Sequence, residues 1–270
     1  IYMNVGTTTP KKIAVIGGGP AGMEFARTAS QRGHCVDLFE KSDCLGGVLN
    51  MAAAPDFKAD IKNYLEWSIR SVNMCDNVTV HLNTEAKPED LSGYEVVVVA
   101  IGSEPIIPQF VKDNPNVVWV GDLEKGNATV GDDVVIVGAG LTGCECALSL
   151  SKQGKNVTLV DMIDEQSFGS GGAKFNQVAL MGLLNDNHVK CIGNVKLVSN
   201  NNQLGFEHNG QSMDLAYDHV VLSLGVRPNP EVLSTFEDCA NEVIYIGDCN
   251  TRIGTLYNAV HTAHEAASVL

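Results

Sequence analysis

The chain has 270 residues, 44% apolar and 19% charged, with 27 glycines and a formal net charge of −14. That length accommodates two domains with cores of their own, and the composition excludes a disordered chain. With only 18 Lys and Arg, it also excludes a nucleic-acid groove or a surface built for anionic membranes. An anionic nucleotide stays within reach, because backbone N–H groups and a helix N-terminus can hold pyrophosphate against an unfavourable global charge.

In chain order, the first predicted element is an apolar strand over residues 12–16 that runs into Gly17-Gly-Gly-Pro-Ala-Gly22. A helix over 20–31 follows, then a strand over 35–40 that ends on Glu40. Residues 60–72 read as helix, and 78–82, 95–101 and 117–120 as strands. The opening pattern then recurs: a strand over 133–137, Gly138-Ala-Gly-Leu-Thr-Gly143, a helix to about Gln153, and a strand over 156–161 that ends on Asp161. Eighteen positions separate the last glycine from the acid in both copies. Two βαβ units with equal internal spacing imply parallel sheets with helical crossovers. Further on, 174–185 reads as helix, and 189–192, 196–199, 204–208, 219–224 and 242–246 as strands. Asn200-Asn-Asn is expected to form the turn of a hairpin, and a final helix is expected from Thr255.

The expected fold is therefore α/β, with two Rossmann-like dinucleotide-binding domains, the second inserted in the first. Residues 1–126 and 226–270 form the first and 127–225 the second. Gly102-Ser-Glu-Pro and Gly225-Val-Arg-Pro resemble each other and are the expected crossing points, since glycine permits the turn and proline bars strand continuation.

Each glycine fingerprint has a division of labour: Gly17 and Gly138 for the tight turn, Gly19 and Gly140 for backbone approach to pyrophosphate, Gly22 and Gly143 for helix-on-strand packing. Glu40 and Asp161 stand where a carboxylate accepts hydrogen bonds from a ribose diol. Asp161 favours a free 2′-hydroxyl and repels a 2′-phosphate, and no arginine follows it, so NADH is expected over NADPH. Gly47 and Gly102 are expected to bring backbone close to a large dinucleotide. Asp248 would hold its ribityl or pyrophosphate side, with the helix after Gly254 aimed at the flavin pyrimidine edge. No catalytic side chain and no metal ligand are assigned. His261 and His264 read as surface or core histidines before proton carriers, and Met51–Ala54 and Trp67 read as packing. Gly169-Ser-Gly-Gly172 reads either as an anion loop or as a mobile connection over the nicotinamide cleft.

The eight cysteines form no CxxC pair and no run with zinc or iron–sulfur spacing, so reduced thiols in a cytoplasmic protein are expected. No run is long enough to span a bilayer, and no partner membrane is expected. A start at Ile1 and a final helix that runs to the last residue suggest a piece of a longer protein.

These motifs, KKIAVIGGGPAG, VDLFEK, CLGG, VVVAIGSEP, VVIVGAGLTGCECA, VTLVDM, LSLGVRPN and YIGDC, resemble the C-terminal half of the NADH:flavin oxidoreductase family. That family is related to 2,4-dienoyl-CoA reductase, 2-enoate reductase and trimethylamine dehydrogenase, and the likeness covers almost the whole chain. It implies a pyridine nucleotide-disulfide oxidoreductase-like fold without the redox disulfide. FAD would be lined by Gly17, Gly19, Gly22, Glu40, Gly47 and Asp248, and NAD(H) by Gly138, Gly140, Gly143 and Asp161. Glu145 falls where many relatives keep a glutamate near the nicotinamide. The resemblance further implies an N-terminal flavin-bearing barrel with FMN and a 4Fe–4S cluster in the longer polypeptide, or another electron acceptor. The expected function is oxidation of NADH by FAD with onward electron transfer. The alternatives are a module that only holds ADP or FAD, as in trimethylamine dehydrogenase, and a stand-alone small reductase.

Overall fold

A computed structural model describes residues 6–200, 203–250 and 254–270. Helix α1 (Pro20–Gln31) links β1 (Lys12–Ile16) to β2 (Cys35–Phe39). A one-turn helix α2 (Leu49–Ala52) and the longer α3 (Ala59–Asn73) precede β3 (Val78–His81), β4 (Val96–Val99) and the short β5 (Glu104–Pro105). Then come β6 (Val117–Trp119), α4 (Val120–Glu124), β7 (Asp133–Val137), α5 (Leu141–Lys152) and β8 (Asn156–Val160). Helix α6 (Lys174–Asp186) leads to β9 (Lys190–Ile192), followed by β10 (Val195–Asn200), β11 (Gln203–His208) and β12 (Gln211–Met213). The chain closes with β13 (His219–Leu222), β14 (Val226–Arg227), α7 (Pro230–Ser234), β15 (Glu242–Tyr245) and α8 (Leu256–Ser268).

These elements divide into two compact units. The first holds Ile1–Ala53, Lys58–Glu104 and Val226–Leu270, and the second Ala54–Phe57 and Pro105–Gly225. The first contains a five-stranded parallel sheet in the order β15-β4-β1-β2-β3. The central strands β1 and β4 are buried on both faces, which is why β4 is an unbroken run of four valines and not an alternating pattern. One face packs under α1, α3 and α8, where Ala259, Ala263 and Ala267 recur at helical spacing and let α8 approach α1 closely. The other face is closed by Leu91, Phe236 and Cys249.

The second unit repeats the plan, with the parallel order β6-β13-β7-β8-β9. Helix α5 covers one face through Cys144, Ala147, Leu148 and Leu150. The antiparallel sheet β10-β11-β12 supplies Val195 and Phe206 to the other.

Two parallel α/β sheets of Rossmann type are thus present, as the repeat implied. The units part at Glu104/Pro105 and Gly225/Val226, whereas the sequence reading carried the first domain to residue 126. The cause is β6, whose Val117–Trp119 pairs with β13 and extends the second sheet. The hairpin expected at Asn200 is seen in the antiparallel register of β10 and β11, but its turn residues 201 and 202 lie outside the described residues. Several strands are shorter than expected at their carboxyl ends, because there the chain peels away into the loops that form the site.

Candidate functional site

In a parallel α/β sheet, ligands are held beyond the carboxyl ends of the strands, at the point where strand order reverses. In the first sheet that point lies between β1 and β4, since the chain passes β1-β2-β3 to one side and β4-β15 to the other. Gly17 leaves β1 there with φ +106°, and a Cβ on it would stand 2.5 Å from the Ala100 carbonyl oxygen. A Cβ on Gly22 would collide with the Gly17 carbonyl. Both glycines are therefore demanded by the protein's own packing.

Gly19 is different. It caps α1 with ordinary extended angles, φ −74° and ψ −175°, and a Cβ built on it meets none of the described residues within 4 Å. Among the described residues no side chain caps this helix, so its first-turn N–H groups have no side-chain acceptor there.

The loop around this helix start is held from two sides. Gly18 donates its N–H to Glu40 Oε2 at 2.7 Å, and Glu40 Oε1 accepts from the Ser42 amide at 2.8 Å and the Ser42 hydroxyl at 2.7 Å. Glu40 is only 8% exposed, and these charge-assisted bonds offset its burial. The chain after Glu40 then folds back: Gly46 N–H donates to the Gly18 carbonyl at 2.9 Å. Gly47, at φ +54°, sits so close that its Cβ would lie 3.0 Å from Gly19 Cα. Gly102, at φ +72°, follows β4 with clear space around it, and the neighbouring Ser103 hydroxyl donates to the Asp248 carbonyl at 3.0 Å. Asp248 follows β15 beyond Gly247, where a Cβ would lie 2.9 Å from that of Ala21. Its carboxylate accepts one amide, Gly254 N–H at 3.2 Å, and burial pushes its carboxyl above the ordinary range. All seven first-unit candidates thus lie at the carboxyl edge of one sheet, Gly22 in the first turn of α1 and the others on the turns around it.

The second unit reproduces the backbone bonds of this arrangement, without the Ser42 hydroxyl, whose place beside the acid is taken by Ile163. Gly138, at φ +108°, would collide through a Cβ with the Ser223 carbonyl, and Gly143 with the Gly138 carbonyl. Gly140 caps α5 with φ −65°, no side-chain cap and nothing within 4 Å of a Cβ. Ala139 donates its N–H to Asp161 Oδ2 at 2.6 Å, as Gly18 does to Glu40, while Ile163 N–H reaches Asp161 Oδ1 at 3.2 Å. Gly169 N–H donates to the Ala139 carbonyl at 2.8 Å, as Gly46 does to Gly18. The glycine-rich stretch after Phe168 therefore begins as a tethered loop and is the counterpart of Gly46-Gly47. Glu145 lies half-buried on the second turn of α5.

Sequence reasoning missed the grip of each carboxylate on the loop amide, and Ser42, Ser103 and Gly247 with it. The signal available was the equal offset of Gly18 and Ala139 from their acids. His264 Nδ1 lies 3.2 Å from Glu24 Oε1 and 3.3 Å from Thr28 Oγ1, tying α8 to α1, and His261 stacks on Tyr257. Trp67, read as packing, is 43% exposed, with the Arg27 guanidinium over its ring. Among the described residues none of the eight cysteines forms a disulfide, and Cys144 and Cys146 are both buried. Burial pushes the Cys144 thiol up to about 12, which leaves it protonated and inert. Among the described residues, no group of three or more His, Cys, Asp or Glu is placed to hold a metal ion. None of their helices is long and apolar enough to cross a membrane.

The model of the pyridine nucleotide-disulphide oxidoreductase family matches residues 11–263. Bilirubin reductase of Mediterraneibacter gnavus is 33% identical over 98% of this chain and 42% of its own length. An NADH oxidase of Thermoanaerobacter brockii is 33% identical over 95% of this chain and 40% of its own length. Among solved structures, a complex of 2-naphthoyl-CoA reductase superposes with a TM-score of 0.90 at 27% identity, covering 99% of this chain and 41% of that one. The chain thus spans about two fifths of the length of these relatives. Two doubly wound sheets, two glycine loops gripped by acids in the same way, and a family match over nearly every described residue lead to one conclusion: this chain belongs to the pyridine nucleotide-disulphide oxidoreductase family.

Proposed function

We propose that the chain is the two-nucleotide module of an NADH-oxidising flavoprotein, with FAD in the first unit and NADH in the second. The observation that carries this reading is the pair Gly19 and Gly140. Their angles suit any residue and their Cβ positions are open, so nothing among the described residues requires glycine there. A group from outside that must touch the backbone does require it, and pyrophosphate at an uncapped helix start is such a group.

Bound FAD would supply a two-electron acceptor, and NADH the hydride for it. The chain's own part is to bind and orient. The amides of the first turns of α1 and α5, beyond Gly19 and Gly140, would face the phosphates. Glu40 and Asp161, already anchored by two backbone amides each, would keep acceptor capacity for a ribose hydroxyl. Gly47 and Gly102 leave room for the rest of the larger dinucleotide. Asp248, partly buried with the Gly254 amide on one carboxylate oxygen, would accept from ribityl hydroxyls. Glu145 is assigned to the nicotinamide side. No acid or base of the chain is needed for hydride movement, so no catalytic side chain is named.

Electrons would leave to a centre elsewhere in a longer polypeptide, an FMN-bearing barrel with a 4Fe–4S cluster. This rests on the resemblance and on the greater length of relatives named as a bilirubin reductase and an NADH oxidase. The cofactor test is direct: the chain is mixed with FAD, freed of excess, denatured, and the released nucleotide identified by chromatography. FAD in equimolar yield supports the reading. Refusal of FAD together with retention of ADP would make the module a structural one.

A further inference from the structure

Helix α6 of the second unit presents an apolar face that none of the described residues of its unit covers. Leu180 and Leu184 pin it to the core. On the opposite side Phe175 is 89% exposed, Val178 63% and Leu183 43%, and Ala179 and Gly182 are exposed as well. Positions 175, 178, 179 and 182 fall on one stripe of a helix. Exposed apolar area of this kind on an otherwise strongly acidic chain marks an interaction surface.

The charges at its two ends indicate what covers it. Lys174 is the first residue of α6 and Asp186 the last, and both are exposed. The helix has no acid in its first turn and no base in its last, so both charges oppose the helix dipole. By contrast, α3 places Asp60 in its first turn and Arg70 in its last. A second α6 laid antiparallel removes the conflict, because Lys174 of each copy then comes within about one turn of Asp186 of the other. The same pairing sets Phe175 against Gly182, and Val178 against Ala179, reciprocally. Large meets small at each level, and a surface complementary to itself is what a two-fold interface requires.

We propose that α6 is a self-association face through which two copies of this chain pair by antiparallel contact of their α6 helices. One helix pair buries less than the roughly 1,200 Å² of a stable standard interface. The association is therefore concentration-dependent and in rapid exchange. It is independent of the nucleotide reading, since none of its residues belongs to either glycine loop.

Sedimentation equilibrium of the whole chain over a wide concentration range tests it. The weight-average mass should rise from 28.8 kDa toward twice that value. Gly182→Leu should weaken association roughly tenfold or more by filling the slot that receives Phe175. Its new side chain meets open space in the single copy and favours the helix, so loss of folding cannot mimic the effect. Lys174→Asp and Asp186→Lys should each weaken pairing, and the double exchange should restore it. A chain that stays at 28.8 kDa throughout overturns the proposal and leaves the face to another part of a longer polypeptide. So does a double exchange that fails to rescue.

Discussion

Replacing Gly19 by alanine should leave the fold almost unchanged and still cripple FAD binding. Removing glycine freedom from the unfolded chain stabilises by about 0.4–1 kcal/mol where the native angles suit alanine, and φ −74° does. Alanine at an N-cap costs about the same amount, because it is among the poorest capping residues. With nothing within 4 Å of the new Cβ, no packing strain enters, and the two effects cancel to within roughly 0.5 kcal/mol. The methyl group does, however, project into the space in which phosphate must reach the α1 amides. Loss of one charge-assisted hydrogen bond is worth about 1.5–3 kcal/mol, or roughly 10- to 150-fold in affinity. Urea denaturation of the nucleotide-free chain and fluorescence titration with FAD measure the two quantities separately. Gly17→Ala is the control: its Cβ is forced onto the Ala100 carbonyl at φ +106°, so it should lose stability outright. If Gly19→Ala unfolds the chain like the control, or binds FAD unchanged, the assignment of that glycine to a ligand is wrong.

Asp161→Ser should weaken NADH binding by about 1–2 kcal/mol and relax discrimination against NADPH, as read by titrating flavin reduction with each nucleotide. An unchanged preference would contradict the ribose role. Asp248→Asn should stabilise the nucleotide-free chain, since burial raises the Asp248 carboxyl and its ionised form is disfavoured in the folded state. The same change should loosen FAD; paired thermal melts with and without FAD decide. Tyr94 donates to Asp37 Oδ2 at 2.9 Å and is pushed up to about 12, by burial first and Asp37 second. The raised value means that its contribution to stability is complete below its ordinary 10.0 and is lost as pH rises through about 12. In Asp37→Asn, ultraviolet titration of the phenolate should show the midpoint moving back toward 10.0, and no movement would refute the coupling.

The paired βαβ units were legible because their signals are local. An apolar strand, glycines at fixed spacing and an acid 18 positions later report one backbone path. The reach of β6 into the second sheet was not legible, because Val117–Trp119 would suit either sheet and only long-range pairing with β13 decides. Short elements such as α2, β12 and α7 escaped for a related reason. A single turn or a three-residue strand carries too little periodicity to stand out and is stabilised by its surroundings. At the candidate site, the equal spacing singled out Glu40 and Asp161, but their hold on Gly18 and Ala139 was not legible. That hold depends on side-chain geometry across a loop. Trp67 shows the opposite failure: residue type suggested the interior, yet a helix surface with Arg27 over the ring keeps it half in solvent.

The central claim is that one chain carries both an FAD site and a functional NADH site. Anaerobic stopped-flow addition of NADH to the FAD-loaded chain tests it most directly, with NADPH as the parallel arm. The account predicts loss of the oxidised-flavin absorption band with NADH, saturating with nucleotide concentration, and slower or weaker loss with NADPH. A flavin that stays oxidised in the presence of saturating NADH would contradict it.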